Sequence, residues 1–219
     1  MVKYKYEKSE NNFQGEIERC GEKSRLKWQN ERDKMSKVCV FFAPGYEEIE
    51  ALAVVDLLRR AGIETDMVSI TKERQATSSH GITVQMDKLF SEVDFQEVDM
   101  IVLPGGMPGT KNLEAFEPLM EMVDSFYAEK KLLGAICAAP SIFGHKGMLK
   151  GRKACCFPEF ESHLEGAEVT KNPVESSDFI ITGRGMGCAV DFGLAIVEKF
   201  QGKDAAAKLA EKVVYGHYK

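Results

Sequence analysis

Several features that define large protein classes are scarce in this 219-residue sequence. No apolar run approaches the roughly 20 residues that a membrane-spanning helix needs. The first residues, with Lys3, Tyr4 and Lys5 among them, lack the apolar core of a secretory signal. Six cysteines are too few for a disulfide scaffold. We therefore expect a cytoplasmic protein with reduced thiols and no membrane partner.

Positive charge and histidine are also in short supply. The net charge is −5, which disfavours a nucleic-acid partner or an anionic membrane surface. The four histidines show no spacing that is typical of a metal site; they are His80, His145, His163 and His217. No glycine string is followed by the Gly-Lys-Ser/Thr of a P-loop. We expect neither a bound metal nor a cofactor.

The composition changes near Met35. Residues 1–36 hold nine basic and seven acidic residues but only ten hydrophobic ones, without a sustained period. Such a segment cannot bury enough apolar surface to order itself alone. We predict a flexible polar extension at 1–36 and one α/β domain at 37–219, which is long enough to bury a core without disulfides or metals.

From Lys37 onward, short apolar runs alternate with amphipathic stretches. The runs predict strands at 38–42, 65–70, 100–103, 132–136 and 179–182, with a less regular one at 80–86. The amphipathic stretches predict helices at 47–61, 119–130, 140–146, 191–200 and 205–215. Strands that are apolar throughout and separated by helices indicate a mostly parallel sheet with helices on both faces. Chemistry in such sandwiches lies at the carboxyl ends of the strands.

Cys137 lies directly after one of these strands and shortly before Pro140, which suits the first turn of a helix. The small residues Ala135 and Ala139 on either side allow a tight strand-to-helix turn, which resembles a nucleophile elbow with a different glycine pattern. A helix N-terminus favours a thiolate, so we expect Cys137 to be ionised at neutral pH. The alternative is an inert, buried cysteine, which is the commonest fate of a free thiol.

Two glutamates at the start of the helix 47–61 face the predicted core. At 100° per residue, Glu47 and Glu50 project onto the apolar arc, whereas Glu48 projects onto the polar one. A preference for acidic residues in a first helical turn is the alternative explanation. A carboxyl group buried at this sheet edge has a raised pKa and can donate a hydrogen bond to a thiolate. We predict that Glu50 stays protonated beside Cys137.

A third loop, Pro104-Gly105-Gly106, follows the strand 100–103. Paired glycines allow backbone N–H groups to point into a site, so we predict Gly105, Gly106 and Ala138 as oxyanion donors. A plain tight turn is the alternative. A further string, Gly183-Arg184-Gly185, lacks the full dinucleotide spacing, so we do not expect a nucleotide there.

Taken together, these segments resemble the ThiJ/PfpI superfamily, on the branch of the Parkinson-disease-associated deglycase. The resemblance runs over residues 38–210 and is carried by four motifs: 45–50, 103–106, 135–140 and 182–185. It implies a flavodoxin-like fold, a homodimer and no cofactor. It also implies Cys137 as the reactive thiol, Glu50 as its protonated partner, and Gly105 and Gly106 as backbone donors.

The resemblance implies an enzyme that acts on reactive dicarbonyls such as methylglyoxal and glyoxal, giving 2-hydroxy acids, or on their early glycation adducts. The alternative is an oxidative-stress sensor or chaperone with an oxidisable, low-pKa cysteine. Ala138 stands where the protease-like branch has a histidine, so protease activity is disfavoured. Phe157 stands where the deglycase branch often has a histidine. We predict Glu47, His80, Phe157 and Arg184 as the lining of the substrate pocket.

Overall fold

A seven-stranded sheet organises residues 36–217, which are the residues that this computed structural model describes. Eleven strands are formed in this part of the chain: β1 Lys37–Phe42, β2 Glu64–Ser69, β3 Gln75–Thr77, β4 Thr83–Gln85, β5 Lys88–Leu89, β6 Met100–Leu103, β7 Leu132–Ile136, β8 Lys153–Ala154, β9 Glu168–Val169, β10 Val174–Ser177 and β11 Ile180–Gly183. The pairs β3–β4 and β8–β9 form two separate small sheets.

Six α-helices connect the strands within the described range: α1 Glu48–Arg60, α2 Gly109–Glu114, α3 Glu117–Glu129, α4 Pro140–His145, α5 Ala189–Gln201 and α6 Lys203–Lys212. Single 3-10 turns are present at Phe90–Glu92, Glu161–His163 and Met186–Cys188. None of these helices is both long and apolar enough to cross a membrane.

The strand order of the main sheet is β10-β11-β7-β6-β1-β2-β5, and only β10 is antiparallel to its neighbour. The chain moves from β1 to β2 on one side and returns to β6 on the other side of β1. Such a reversal opens a crevice beyond the carboxyl ends of the two central strands. The loops after β1, β6 and β7 therefore lie around one crevice.

Two apolar clusters fill the space between the sheet and its helices. Along β1, Val38, Val40 and Phe42 join the cluster with α1, α5 and α6, whereas Cys39 and Phe41 join the cluster with α3 and α4. Successive side chains of a strand point to opposite faces, so a strand that is apolar throughout has to be covered twice. The predicted three-layer sandwich is confirmed.

Three details differ from the sequence-based predictions. The segment 80–86 contributes only Thr83–Gln85, which pairs with β3 in a small hairpin outside the main sheet. The edge strand β10 was missed because its sequence, Val-Glu-Ser-Ser, is mostly polar, and an edge strand needs only one neighbour. The short helix α2 begins at a glycine and has no start signal. The predicted extension at 1–36 lies outside the described residues except for Ser36.

Gly144 provides a test of the packing between α4 and the 3-10 turn at 161–163. A Cβ atom at Gly144 would overlap the backbone carbonyl of His163, whereas one at Gly134 would meet the flexible end of Met100 at 2.7 Å. We expect Gly144→Ala to lower the free energy of unfolding by about 2–3 kcal/mol and Gly134→Ala to cost about 1 kcal/mol or less. Urea unfolding of both variants checks this, and equal losses would contradict it.

Candidate active site

Three loops converge at the carboxyl ends of the central strands. The loop after β1 leads to Glu47 at the start of α1, and the N–H of Glu47 donates to the carbonyl of Gly105, after β6, at 2.9 Å. Beyond β7, the N–H of Cys137 donates to the carbonyl of Gly183, at the end of β11, at 2.9 Å. The first bond joins the loops after β1 and β6, and the second joins the turn after β7 to the end of β11, so residues distant in sequence form one site.

Cys137 occupies a strained turn between β7 and α4. Its φ is 66°, in the left-handed region that residues with a side chain rarely adopt. The flanking Ala135 and Ala139 are fully buried, so larger side chains there would meet the core. The N–H of Phe157 donates to the carbonyl of Cys137 at 2.7 Å, and the thiol itself is half-buried. This geometry projects the sulfur out of the sheet into the crevice.

Glu50 lies in the first turn of α1 with only 1% of its surface exposed. The Glu47 carboxylate caps this turn by accepting from the N–H of Glu50 at 2.6 Å. The Oε2 atom of Glu50 accepts from the N–H of Gly105 at 3.0 Å, and the carboxyl also hydrogen-bonds with the Cys137 thiol. The second oxygen, Oε1, is buried and has no partner within residues 36–217.

Glycine is required at position 105 because this carboxyl and the thiol leave no room for a side chain. A Cβ atom at Gly105 would lie 2.5 Å from Cβ of Cys137 and 2.6 Å from Oε2 of Glu50. The contact between the first two loops and the third is thus made by bare backbone. The sequence alone shows a pair of glycines here. It does not show that the carboxyl and the thiol exclude a side chain at position 105.

The backbone donors differ from those predicted. The N–H groups of Ala138 and Gly106 hydrogen-bond with the Cys137 sulfur, as expected for two donors that face the reacting atom. Gly105 was predicted as a third such donor, and this is wrong because its N–H is already bound to Glu50. Gly105 positions the carboxyl, and Gly106 faces the sulfur.

Burial shifts the proton affinities of both acidic groups. It raises the pKa of Glu50 to about 7, with a further contribution from Glu47, and the hydrogen bonds from Cys137 and Gly105 oppose this shift. Burial, followed by the charge and the hydrogen bond of Glu50, raises the pKa of the Cys137 thiol well above its ordinary value. Burial therefore opposes the ionised thiol that the helix end was expected to favour, and it outweighs the nearby backbone donors in setting the direction of the pKa shift.

The two groups titrate as one unit and carry a single negative charge near neutrality. That charge lies either on Glu50 with the thiol protonated, or on sulfur with Glu50 protonated. The two states differ only in the position of one proton on the hydrogen bond between them. A nucleophilic sulfur can therefore form without bringing a second charge into the site.

The environment of Glu48 differs from the one that the helical projection predicted. It was placed with the solvated residues of α1, yet it is only 7% exposed and pairs with His80 at 3.0 Å. Burial opposes its ionisation, but the hydrogen bonds from His80, its own backbone and Ser78 together lower the pKa of Glu48. The hydrogen bond to Glu48 raises the pKa of His80. This pair joins α1 to the β3–β4 hairpin, which no local periodicity could reveal.

The same pair belongs to a cluster with the chemistry of a metal site. Glu47, Glu48 and His80 each bring one donor atom within 4.8 Å of the others. The histidine spacing in the sequence could not reveal this cluster because its members come from separate elements. Glu48 and His80 already hydrogen-bond with each other there.

The remaining predicted pocket residues differ in how they are connected to Cys137. Phe157 is adjacent through its bond to Cys137, and its ring faces Gly185. The Arg184 guanidinium instead donates to the carbonyl of Lys171 at 3.1 Å. No hydrogen bond links His80 to Cys137 or Glu50 among the described residues. Burial and Asp191 raise the pKa of Cys188, which lies after β11.

Comparison with known proteins groups this chain with one family. The model of the DJ-1/PfpI family matches residues 36–199. Protein DJ-1 homolog B of Arabidopsis thaliana is 36% identical over 180 residues, which cover 81% of this chain and 41% of that protein. The chain spans less than half the length of the plant relatives that it matches.

Two further relatives match over nearly their whole length. A Schizosaccharomyces pombe protein named glutathione-independent glyoxalase DJ-1 is 31% identical over 180 residues, covering 78% of this chain and 94% of that protein. The structure of oxidized Toxoplasma gondii DJ-1 superposes with a TM-score of 0.79 at 35% identity, covering 83% of this chain and all of that one. The flavodoxin-like fold predicted from the sequence is shared with these neighbours.

Two neighbouring glutamates are expected to have opposite effects on stability. Native Glu50 binds its proton more tightly than the unfolded chain does, so stability falls as pH rises from 4.5 to about 7. At about pH 8, Glu50→Gln should therefore raise the free energy of unfolding by about 3 kcal/mol, with little change near pH 4.5.

Glu48→Gln is the matched control, and its sign is reversed. The lowered pKa of Glu48 means that its ionised form stabilises the native state at neutral pH, a contribution lost as pH falls through the native pKa. The variant should be less stable than the wild type at about pH 8. Urea unfolding at several pH values measures both effects, and destabilisation by Glu50→Gln at about pH 8 would contradict the assignment.

Proposed function

Because the chain belongs to the DJ-1/PfpI family, we propose that it is a cofactor-independent cysteine enzyme that converts reactive dicarbonyls, such as methylglyoxal and glyoxal, to 2-hydroxy acids. The observation that carries this proposal is the buried hydrogen bond between the Glu50 carboxyl and the Cys137 thiol at the switch point of the sheet. The glyoxalase name of the Schizosaccharomyces pombe relative supports the same reaction class.

The first step forms the nucleophile and the carbon–sulfur bond. The proton of Cys137 moves to Glu50, and the sulfur adds to the aldehyde carbon of the substrate while the carbonyl electrons move to its oxygen. The N–H groups of Gly106 and Ala138 already face the sulfur, close to where that oxyanion develops. Protonation of the oxyanion by Glu50 gives a hemithioacetal and leaves Glu50 ionised.

The second step moves a proton between the two carbons. Ionised Glu50 removes the hydrogen of the former aldehyde carbon as a proton, which leaves an enediolate over the two carbons. Glu50 returns that proton to the second carbon and the hydroxyl proton passes from the first oxygen to the second, so the second carbon is reduced to an alcohol and the first is oxidised to a thioester. The unpartnered Oε1 of Glu50 is an acceptor in a dry environment, where a carboxylate is a stronger base than in water.

Water completes the turnover. It attacks the thioester carbon, the bond to sulfur breaks, and the products are a 2-hydroxy acid and the free thiol. The reaction is an internal oxidation and reduction of the substrate plus one water, so it requires no external electron acceptor. Early adducts of dicarbonyls with amines and thiols present the same two carbons, and we include them as substrates.

A redox-sensing role is the second candidate, because the oxidized state of the Toxoplasma gondii relative has been solved as a structure. A protonated Glu50 and the N–H groups of Gly106 and Ala138 would stabilise an oxidised sulfur anion at Cys137 through the same contacts.

We also propose a cytoplasmic homodimer, for which the half-exposed Ile49 on α1 supplies apolar surface. A purely monomeric sedimentation profile would refute the dimer.

Removal of the nucleophile gives the direct test of the enzyme. We expect Cys137→Ala to reduce methylglyoxal turnover to background, since no carbon–sulfur bond can form. Cys188→Ala is the matched control, because Cys188 is also partly exposed but lies outside the thiol–carboxyl pair. Lactate formation by both purified variants measures the effect.

The outcomes separate the two candidate functions. Equal trace rates in the wild type and Cys137→Ala would end the enzyme proposal. Peroxide oxidation confined to Cys137 by mass spectrometry, in a protein without turnover, would favour the sensor.

The pH dependence of thiol reactivity tests the shared proton. Well below pH 7 the wild-type pair is protonated and neutral, so iodoacetamide alkylation of Cys137 should be slow. The rate should rise through an apparent pKa of about 7 as the pair loses its first proton, and then level off.

Glu50→Gln removes the partner that takes the proton. Its Cys137 should titrate in one step without an inflection near pH 7, and turnover should fall about a hundredfold or more. Peptide mass spectrometry follows alkylation of Cys137 alone. An inflection near pH 7 that persists in the variant would show that Glu50 is not the titrating group.

A further inference from the structure

We propose that this site selects neutral 2-oxoaldehydes with a bulky apolar substituent, such as an aryl group, over glyoxal. The inference rests on the proposed function and adds the substrate class. It is carried by three exposed apolar side chains beside the reactive sulfur, Met107, Phe157 and Met186, which we call the apolar rim.

The apolar rim is unusual because large apolar side chains are exposed next to a reactive group. Met107, Phe157 and Met186 are 42%, 45% and 53% exposed. Exposed apolar surface costs free energy unless a ligand or partner covers it, and at the mouth of a crevice it marks a binding surface. These three side chains are therefore available to contact a ligand in the free protein.

Each member of the rim is tied by backbone to a group that contacts the site. Met107 follows Gly106, whose N–H faces the Cys137 sulfur. Phe157 donates its own N–H to the Cys137 carbonyl, and its ring lies about 3.3 Å from where a side chain of Gly185 would begin. Met186 follows Gly185. The rim residues thus lie on the loops after β6, β8 and β11, next to backbone groups of the site.

The charges near the sulfur favour a neutral ligand. Glu47 lies at the same helical turn as Glu50, where its charge opposes ionisation of that carboxyl. The guanidinium of Arg184 is held by the carbonyl of Lys171. A substrate with its own carboxylate would face an acidic group here, whereas an aryl group would meet only apolar side chains.

The geometry of addition directs the substituent to the rim. When sulfur adds to the aldehyde carbon and Glu50 handles the proton, the group on the second carbon is the only part of the substrate free to extend outward. It is hydrogen in glyoxal, methyl in methylglyoxal and phenyl in phenylglyoxal. A phenyl ring can pack against Phe157 in an offset or edge-to-face arrangement. The product of phenylglyoxal is mandelate, formed by internal redox and one water as above.

The test compares kcat/KM for phenylglyoxal and glyoxal in the wild type and in Phe157→Ala. The ratio of the two values should fall about tenfold in the variant, because a hydrophobic contact with one substituent is lost. Comparing each variant with the wild type cancels the different intrinsic reactivities of the two aldehydes. Met186→Ala should lower the ratio in the same direction, and Phe157→Tyr should keep it.

Val169→Ala is the matched control, since Val169 is 40% exposed and lies on β9 away from the three loops. It should leave the ratio unchanged. A wild type that turns over neither aldehyde would refute the proposed function itself. Turnover of both aldehydes with the same ratio in the wild type and Phe157→Ala would overturn the rim assignment alone.

Discussion

A single proton shared between a buried carboxyl and a half-buried thiol governs this site. Glu50 and Cys137 are both too poorly solvated to ionise together, so one negative charge is divided between them. In the proposed reaction, that restriction would supply a nucleophilic sulfur without a cationic partner. It would also couple addition to proton return, because the group that accepts the thiol proton would later move the substrate proton.

The surrounding fold is shaped to allow this contact. Gly105 has no side chain because one would overlap both partners, and Cys137 is held at positive φ by bonds to Gly183 and Phe157. A buried, ionisable Glu50 costs stability near neutrality, and the strained turn adds to that cost. The buried carboxyl and the strained turn both lie where the strand order of the sheet reverses, next to β1 and β6. This position indicates a functional role rather than a packing role.

In the proposed reaction, the two ends of the substrate would meet different surroundings. Its aldehyde carbon would meet polar backbone donors and the thiol–carboxyl pair, while its substituent would meet Met107, Phe157 and Met186. This division assigns reactivity to the sheet edge and selectivity to the connecting loops, an arrangement typical of α/β proteins.

The sequence by itself determined the layered architecture, the reactive cysteine and its glutamate, because apolar strands, helical periodicity and a small-residue turn are local patterns. Only the tertiary structure decided that the N–H of Gly105 serves Glu50, that Glu48 is buried against His80, and that burial raises the pKa of the thiol. Those outcomes depend on burial and on contacts between loops far apart in the chain. Desolvation is a property of the folded surroundings, and no local pattern of residues encodes its size.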